Sequence, residues 1–217
     1  MFAVYGLSTY VVQADTYANV GLASNYVSRG LTQTADKAAL SGGIDYFSRN
    51  GMYGGVWTSN VNEGSQTQFF SGYSFEIGEL NGLKLKPLSG MGVDSGIILN
   101  TVPHGGPLGA EIYSGISYQK IDTQVSVVLD DLLEDLKAFN LGLYLNTNVN
   151  RVLKPSLDVD FHLGLFVGET VYLDYGLSVT KFLNRWEWRL SMTQSTNDVT
   201  EDGDIRFFIS LLKKFKL

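Results

Sequence analysis

The chain has 217 residues with 24 glycines, 4 prolines and no cysteine, and its formal net charge is −6. The absence of cysteine excludes a disulfide framework and a thiolate metal site, and the acidic balance argues against nucleic-acid binding, which calls for basic surfaces. No run of about 18 uncharged apolar residues occurs, so no transmembrane helix is expected.

The first 14 residues are mostly apolar or small and predict the end of a secretory signal peptide. Val12-Gln13-Ala14 suits a small-residue cleavage site. No Lys or Arg precedes Arg29, although a signal peptide normally begins with one, so a short first strand is the alternative. We expect residues 15–217 to form a single domain, because no linker or clear internal repeat interrupts them.

About twelve strands are predicted along the rest of the chain, because apolar residues alternate there with polar or small ones. The first two segments are 19–26 and 40–46, and Asn50-Gly51 then predicts a two-residue hairpin turn. Met52–Asn60 and Thr67–Glu76 follow. The later segments are 91–99, 111–118, 121–130, 141–145, 157–165, 171–179, 186–193 and 205–211.

Strand length and polarity both favour a membrane barrel over a soluble sandwich. Several segments alternate for about ten residues, which is what a strand needs to cross a bilayer. In segment 157–165 the charged residues lie opposite large apolar ones, as they do when apolar side chains face lipid and polar ones face a lumen. We therefore expect an all-β, transmembrane, antiparallel up-and-down barrel of about 12 strands in the outer membrane of a Gram-negative bacterium. A soluble ligand-binding barrel is the fold-level alternative.

Aromatic residues cluster toward the predicted strand ends, which is typical of two interfacial girdles. Packing in an ordinary core is the alternative for these side chains. The residues are Tyr46, Phe47, Tyr53, Phe69, Phe70, Tyr73, Phe75, Tyr118, Tyr172, Tyr175, Trp186 and Trp188.

The predicted connections differ in length, which indicates the orientation of the barrel. Arg49-Asn50-Gly51 and Gln119-Lys120 are tight and are expected on the periplasmic side. The longer ones are expected outside: Leu31–Lys37, Val61–Gln66, Thr101–Gly109, Asp131–Asn140 and Ser195–Asp204. Two connections depart from this pattern, because Ile77–Pro87 is long on the periplasmic side and Val167-Gly168-Glu169 is short on the other. The leucines of 131–140 share a helical face and also allow a short helical turn there.

The stretch from Ser24 to Thr34 contains a Ser-x-Tyr-x-x-Arg-Gly-x-Ser/Thr-Gln signature. Gly42-Gly43-Ile44-Asp45-Tyr46 and the segment from Gly51 to Val61 follow it in order. With these motifs the chain resembles the TorF-type porin family, specifically over about residues 17–100. The resemblance implies an outer-membrane barrel of poorly defined function.

The alternation predicts which charged residues face the lumen. Rings of carboxylates favour cations in an aqueous pore, and the predicted wall is net acidic. An alternative role for Arg29 is an ion pair with Asp45 across the first hairpin, which would partly plug the barrel. The residues expected to line a pore are Arg29, Asp45, Asp94, Glu111, Asp122, Asp158, Asp160, His162, Asp174, Glu187, Arg189 and Arg206.

The sequence predicts no catalytic residue, cofactor or metal site. The chain has two histidines, and His104 falls in a turn sequence. Asp158, Asp160 and His162 spread over about 13 Å of one strand, which is too far for one compact metal site. A polar stripe along the lumen is the interpretation favoured for these three residues, and a weak cation site or a catalytic role are the alternatives.

These features predict an outer-membrane channel for the passive passage of small polar solutes or cations. The alternatives are a closed-lumen structural or binding barrel and an outer-membrane enzyme acting on lipid through His162. The expected partners are outer-membrane lipid and small polar solutes or cations, with no nucleic acid. A homo-oligomer is a further possibility.

Overall fold

The computed structural model describes residues 14–77, 90–101, 109–130, 140–154, 156–196 and 204–217. Twelve of its strands form a closed antiparallel barrel, and two short strands pair separately. Successive barrel strands pair with each other, and the last strand pairs with the first. The strands are β1 (Asp15–Ala23), β2 (Val27–Ser28), β3 (Leu31–Thr32), β4 (Ala39–Phe47), β5 (Met52–Val61), β6 (Gly64–Glu76), β7 (Met91–Thr101), β8 (Gly109–Tyr118), β9 (Ile121–Asp130), β10 (Asn140–Lys154), β11 (Leu157–Val167), β12 (Val171–Leu183), β13 (Trp186–Ser195) and β14 (Arg206–Lys216).

The predicted twelve-strand antiparallel barrel is confirmed, and its apolar side chains point outward. On β13, Leu190 is 56% exposed whereas its neighbour Ser191 is 4% exposed. On β11, Phe161 is 47% exposed and Asp160 is 4% exposed. Because successive side chains of a strand point to opposite faces, the sheet has an apolar outer face and a polar inner face. Among the described residues, no helix is long and apolar enough to span a bilayer.

The barrel has two ends, which we call the terminal end and the loop end. Both chain termini of the described barrel lie at the terminal end, since Asp15 of β1 opposes Phe47 and Tyr17 opposes Lys216. Gln119-Lys120 and Asn184-Arg185 make tight turns at this end. The longer connections between β7 and β8, β9 and β10, and β13 and β14 lie at the loop end.

The strands are tilted relative to the barrel axis. A row of paired residues that starts at Ala18, near the terminal end of β1, passes through Phe69 of β6 and reaches Ala110 at the loop end of β8. Rows of paired residues therefore climb toward the loop end in this direction around the barrel, as the strand tilt of roughly 35–45° in outer-membrane barrels requires.

The structure corrects two predictions at the loop end. The first strand ends at Ala23 rather than Tyr26, and Tyr26 is 6% exposed inside the barrel. The predicted loop Val61–Gln66 is a tight turn, because β5 continues to Val61 and β6 begins at Gly64. Gly64 has φ +113, a conformation that glycine adopts without steric cost.

The aromatic residues are only partly arranged as predicted. Eight of the side chains lie on the outward-facing positions of their strands, whereas Phe47, Tyr53, Phe70 and Tyr172 lie on inward-facing positions. Tyr53 is 4% exposed and Tyr172 is 6% exposed. Adjacent aromatic residues on one strand must point to opposite faces, so a cluster in sequence cannot form one girdle. The outward members are Tyr46, Phe69, Tyr73, Phe75, Tyr118, Tyr175, Trp186 and Trp188.

Several predictions concern residues outside the described ranges. They are the signal-peptide remnant up to residue 13, the turn that contains His104, and most of the three longer loops at 101–109, 131–140 and 195–204. They stay predictions.

Candidate functional site: a segment folded into the barrel

Residues 24–38, which connect β1 to β4, fold into the lumen at the loop end; we call them the inward segment. The short strands β2 and β3 pair within it. Its side chains contact residues of β5, β8 and β10, which lie on different sides of the closed barrel. The segment therefore crosses the lumen, which corrects the prediction that Leu31–Lys37 form an extracellular loop.

Short polar side chains hold the inward segment in its own fold. The buried Thr34 hydroxyl accepts a hydrogen bond from the backbone N–H of Tyr26 (3.1 Å) and lies 2.6 Å from the carbonyl oxygen of Lys37. Asn25 accepts the Thr32 hydroxyl proton at 2.7 Å and donates to Asp36 at 2.6 Å. Buried polar groups need such partners, and these bonds supply them.

Arg29 is the central cation of the inward segment. Its Nη2 lies 2.7 Å from Oε2 of Glu111 on β8, and its guanidinium carbon lies 4.5 Å from the ring centre of Tyr144 on β10. The alternative pairing with Asp45 is wrong, because Asp45 lies near the terminal end, where Asn19 donates to it at 3.1 Å. The segment turns inward instead of extending the first hairpin, and this carries Arg29 across the lumen.

Gly30 presses the tip of the segment against the barrel wall. Arg29 has φ +52 and Gly30 has φ +76. A Cβ atom at Gly30 would lie 2.7 Å from Cβ of Asp174 and 3.0 Å from Cβ of Ser195. Both the positive φ and the close approach require glycine at this position.

Tyr26 and Trp57 anchor the other side of the segment. Their rings meet edge to face with centroids 5.4 Å apart, and both side chains are buried. Burial raises the pKa of Tyr26 to about 12, although the nearby charge of Arg29 lowers it. The Tyr26 hydroxyl therefore keeps its proton at neutral pH and donates a long hydrogen bond to Gln66.

His162 belongs to a polar network directly below the inward segment. Its Nε2 lies 2.6 Å from Oδ1 of Asp174, and its Nδ1 lies 3.0 Å from Oδ1 of Asn148. The Tyr144 hydroxyl donates to Asp174 at 3.0 Å. Both imidazole nitrogens are thus engaged, and no serine hydroxyl is among their hydrogen-bond partners in the described residues. The network lies in the lumen, away from the outer face where lipid would be attacked.

A second charged cluster lies further toward the terminal end. Nη2 of Arg189 is 3.2 Å from Glu187 and 3.9 Å from Asp160, and Asn150 also donates to Asp160. Asp158 lies one inward position from Asp160 on β11. The described residues contain no group of His, Cys, Asp or Glu side chains with the arrangement of a metal site.

The remaining predicted site residues also occupy inward positions of their strands. Tyr53 donates to Asp94 at 2.7 Å and contacts Tyr113 hydroxyl to hydroxyl. Arg206 lies 3.1 Å from Asp36 of the inward segment. Asp122 is exposed at the barrel end on the inward-facing register of β9.

Some inward-facing residues were missed by sequence reasoning. Tyr144, Asn146 and Asn148 of β10 alternate with outward residues, but the predicted segment 141–145 ended too early to include the asparagines. Lys214 and Lys216 continue the inward register of β14 beyond the predicted limit at residue 211. Lys216 pairs with Asp15 at 2.6 Å. The alternation of inward and outward residues continues past the predicted C-terminal limits of β10 and β14, and this signal would have identified these residues.

A cavity of about 160 Å³ lies between the inward segment and the barrel wall, and is lined by residues of β1, β4, β5 and β10 to β14. Charged side chains and small hydroxyl and amide groups contribute to its lining. Such a surface hydrogen-bonds water and small polar molecules. Polar residues that line it include Arg29, Asn146, Asn148, His162, Asp174, Ser178, Arg189 and Ser191.

A family model of bacterial proteins of unknown function, Gcw_chp, matches residues 10–208. The chain belongs to this Gcw_chp family. The match covers every strand up to the start of β14. No curated protein matches the chain.

Solved structures of porins have a similar fold. The KdgM porin in complex with disordered oligogalacturonate has a TM-score of 0.61 at 8% identity, covering 94% of this chain and 99% of that one. The NanC porin has a TM-score of 0.61 at 9% identity, covering 92% and 100%. The COG4313 outer membrane channel from Pseudomonas putida F1 has a TM-score of 0.57 at 9% identity, covering 94% and 96%.

The Gcw_chp chain is a bacterial outer-membrane β-barrel. Its closed sheet leaves no backbone edge unpaired, and its outward face carries exposed leucine, isoleucine, valine and phenylalanine along every barrel strand from β8 to β14. Hydrocarbon demands both properties of a spanning sheet. At 8–9% identity the similarity to porins concerns the fold, so what passes through the barrel is a separate question.

Proposed function

We propose that this Gcw_chp protein is a narrow passive channel for small polar solutes with a mild preference for cations. The observation that carries the proposal is the cavity of about 160 Å³ beside the inward segment, lined in part by charged, amide and hydroxyl side chains, inside a barrel with an apolar outer face. A hydrophilic solute needs hydrogen-bonding groups along its path through an apolar membrane, and the lining of this cavity supplies some of them. The porin folds among its structural neighbours support the same function.

The preference for cations is argued from the charges on inward-facing positions. Carboxylates outnumber basic groups there even after Lys214 and Lys216 are included, and rings of carboxylates favour cations. Several of them lie toward the terminal end, where no arginine of the described residues forms an ion pair with Asp45 or Asp122. In this proposal the twelve residues predicted from sequence line the path, and Arg29 with Glu111 forms its narrowest part.

A closed-lumen structural or binding barrel is the second candidate, and a specific observation favours it. The inward segment is tied to both sides of the barrel by Arg29–Glu111 and Tyr26–Trp57. If these contacts leave no continuous water-filled path through the lumen, the barrel does not conduct and has a structural or ligand-binding role.

We infer a non-enzymatic role, because His162 faces the lumen instead of the lipid and no serine hydroxyl is among its hydrogen-bond partners in the described residues. The TorF-type resemblance is consistent with a porin-like role. The residues of its signature, Ser24 to Thr34, lie in the inward segment, which in this proposal narrows the path. The proposal also includes a signal-peptide remnant over residues 1–14, one barrel domain over 15–217 and a Gram-negative source. A homo-oligomer is compatible with it.

Planar-bilayer recording of the purified, folded protein tests the proposal. We expect small, steady conductance steps, and in a potassium chloride gradient a reversal potential displaced toward that of potassium. Absence of conductance in folded, inserted protein would contradict the channel and support the closed-lumen barrel.

A pair of matched variants tests the origin of the cation preference. Asp45→Asn with Asp122→Asn removes two carboxylates from the inward register and should move the reversal potential toward zero. Glu63→Gln with Glu169→Gln removes two exposed carboxylates from loop-end turns and should change it less. Equal shifts in the two variants would show that the wall charges do not set selectivity.

A further inference from the structure

The outward face of the barrel carries basic residues at the terminal end of three strands. Arg151 on β10, Lys181 on β12 and Lys213 on β14 each occupy an outward position in the register. Arg151 and Lys181 are exposed, and Lys213 is half-buried. We call these three side chains the basic row.

The tilt of the strands puts the basic row at one height in the membrane. The row of paired residues that contains Arg151 reaches Val179 on β12, and Lys181 lies two residues nearer the terminal end. The row that contains Lys181 reaches Leu211 on β14, and Lys213 again lies two residues nearer that end. From β10 to β14, rows of paired residues rise toward the loop end. Each basic residue lies two residues nearer the terminal end than the row of the previous one, which offsets most of this rise and keeps the three side chains at a similar height.

Aromatic side chains of β13 lie between the two lysines. Lys213 Nζ is 4.7 Å from the ring centre of Trp186 and 5.1 Å from that of Phe215. Lys181 is paired directly with Trp188 in the sheet. Indole rings settle at the level of lipid headgroups, and lysine stems lie along apolar surface while their ammonium groups reach the polar layer. The lysines are thus held where headgroup phosphates lie.

Among the described residues, no carboxylate compensates the basic row on this face. At the terminal end the described carboxylates occupy inward positions; Asp15 is paired there with Lys216, and Glu187 with Arg189. The outer face of β10 to β14 is therefore positive at this end. On the inner face of the same strands the carboxylates Asp158, Asp160 and Glu187 are balanced by Arg189, Lys214 and Lys216, so the unbalanced positive charge faces the membrane.

We propose that the basic row, with Trp186 and Trp188, binds the phosphate of anionic phospholipid headgroups. The positive charge of the row favours a headgroup whose phosphate has no cation beside it, such as phosphatidylglycerol, over a zwitterionic headgroup such as phosphatidylcholine. Phospholipid is favoured over lipopolysaccharide because four of the five connections between strands at the terminal end have four residues or fewer, the exception being 77–90. Short turns of such barrels face the periplasmic leaflet. This site is independent of whether the lumen conducts.

Tryptophan quenching by brominated lipid tests the site, because two of the three tryptophans lie in it and Trp57 is buried in the lumen. The folded protein is placed in phosphatidylcholine vesicles that contain either brominated phosphatidylglycerol or an equal amount of brominated phosphatidylcholine. We expect stronger quenching by the anionic lipid. The double variant Lys181→Gln with Lys213→Gln should remove most of this preference, since each lysine contributes about a fivefold preference for the anionic lipid. The double variant Lys181→Arg with Lys213→Arg keeps both positive charges and should retain the preference.

Arg49→Gln with Lys120→Gln is the matched control, since it removes two exposed cations from terminal-end turns away from β13. This variant should quench like the wild type. Equal quenching by the two lipids in the wild-type protein would overturn the proposal. So would an equal loss in the control, or relief of quenching by lipopolysaccharide that exceeds relief by unlabelled phosphatidylglycerol.

Discussion

At the scale of single residues, Arg29 connects the inward segment to the wall by two different interactions. It forms a charge-assisted bond with the buried Glu111 and lies over the ring of Tyr144. A bond of this kind contributes about 1.5–3 kcal/mol, and loss of one partner leaves the other buried and unpaired. Arg29 therefore stabilises the segment in its place across the lumen.

Arg29→Ala should consequently loosen the inward segment and widen the path. We expect a larger single-channel conductance and a stronger cation preference, because the variant also removes a positive charge from the narrowest part. Planar-bilayer recording measures both. Arg49→Ala, which removes an exposed arginine from a terminal-end turn, should leave the conductance unchanged. An unaltered conductance in the Arg29 variant would show that the segment does not limit flow.

At the scale of elements, the barrel strands were predictable because their signal is local. Alternation of apolar and polar residues decides which side chain faces lipid, as Leu190 and Ser191 demonstrate. The same alternation assigns Tyr53 and Tyr172 to the inner face, where both are buried. Their expected place in an outer girdle was wrong because it relied on their position near strand ends and not on the alternation.

The inward segment was not predictable in this way, because its position depends on residues far away in sequence. Glu111 lies 82 residues from Arg29. The signature residues Tyr26, Arg29 and Gly30 each make a contact with the wall, but nothing in their local pattern names the partner. The sequence predicts Arg29 as a pore-lining residue, and the alternative that it partly plugs the barrel by pairing with Asp45 named the wrong carboxylate.

Gly30→Ala tests the docking of the whole inward segment. The new Cβ would meet Asp174 at 2.7 Å, and alanine at a positive φ costs roughly 1–2 kcal/mol in addition. We expect the segment to leave the wall, with larger and noisier conductance. Gly90→Ala is the matched control, since Gly90 has φ +85 and a Cβ atom added there would have nothing within 4 Å. If both variants change the conductance equally, backbone strain alone explains the effect.

At the scale of the whole molecule, the fold depends on which face of the sheet meets hydrocarbon. The outward face is apolar and the inward face is polar, the reverse of a soluble barrel. The closed hydrogen-bonded ring allows this reversal, because every barrel strand has a partner on both sides. A charge placed on the outer face near mid-membrane has no water to solvate it, whereas one on the inner face has polar neighbours.

Leu190→Lys and Ser191→Lys test this arrangement with adjacent residues near the middle of β13. Lysine at position 190 faces lipid two residues from Trp188, between the interface and the midplane, and should lower the free energy of unfolding from a bilayer by about 1–3 kcal/mol. Lysine at position 191 points toward the cavity that Ser191 lines, so it should destabilise the barrel less and reduce the cation preference. Denaturant unfolding in lipid vesicles measures the first effect and reversal potentials measure the second. Greater destabilisation by Ser191→Lys would mean that the inner face is the dry one.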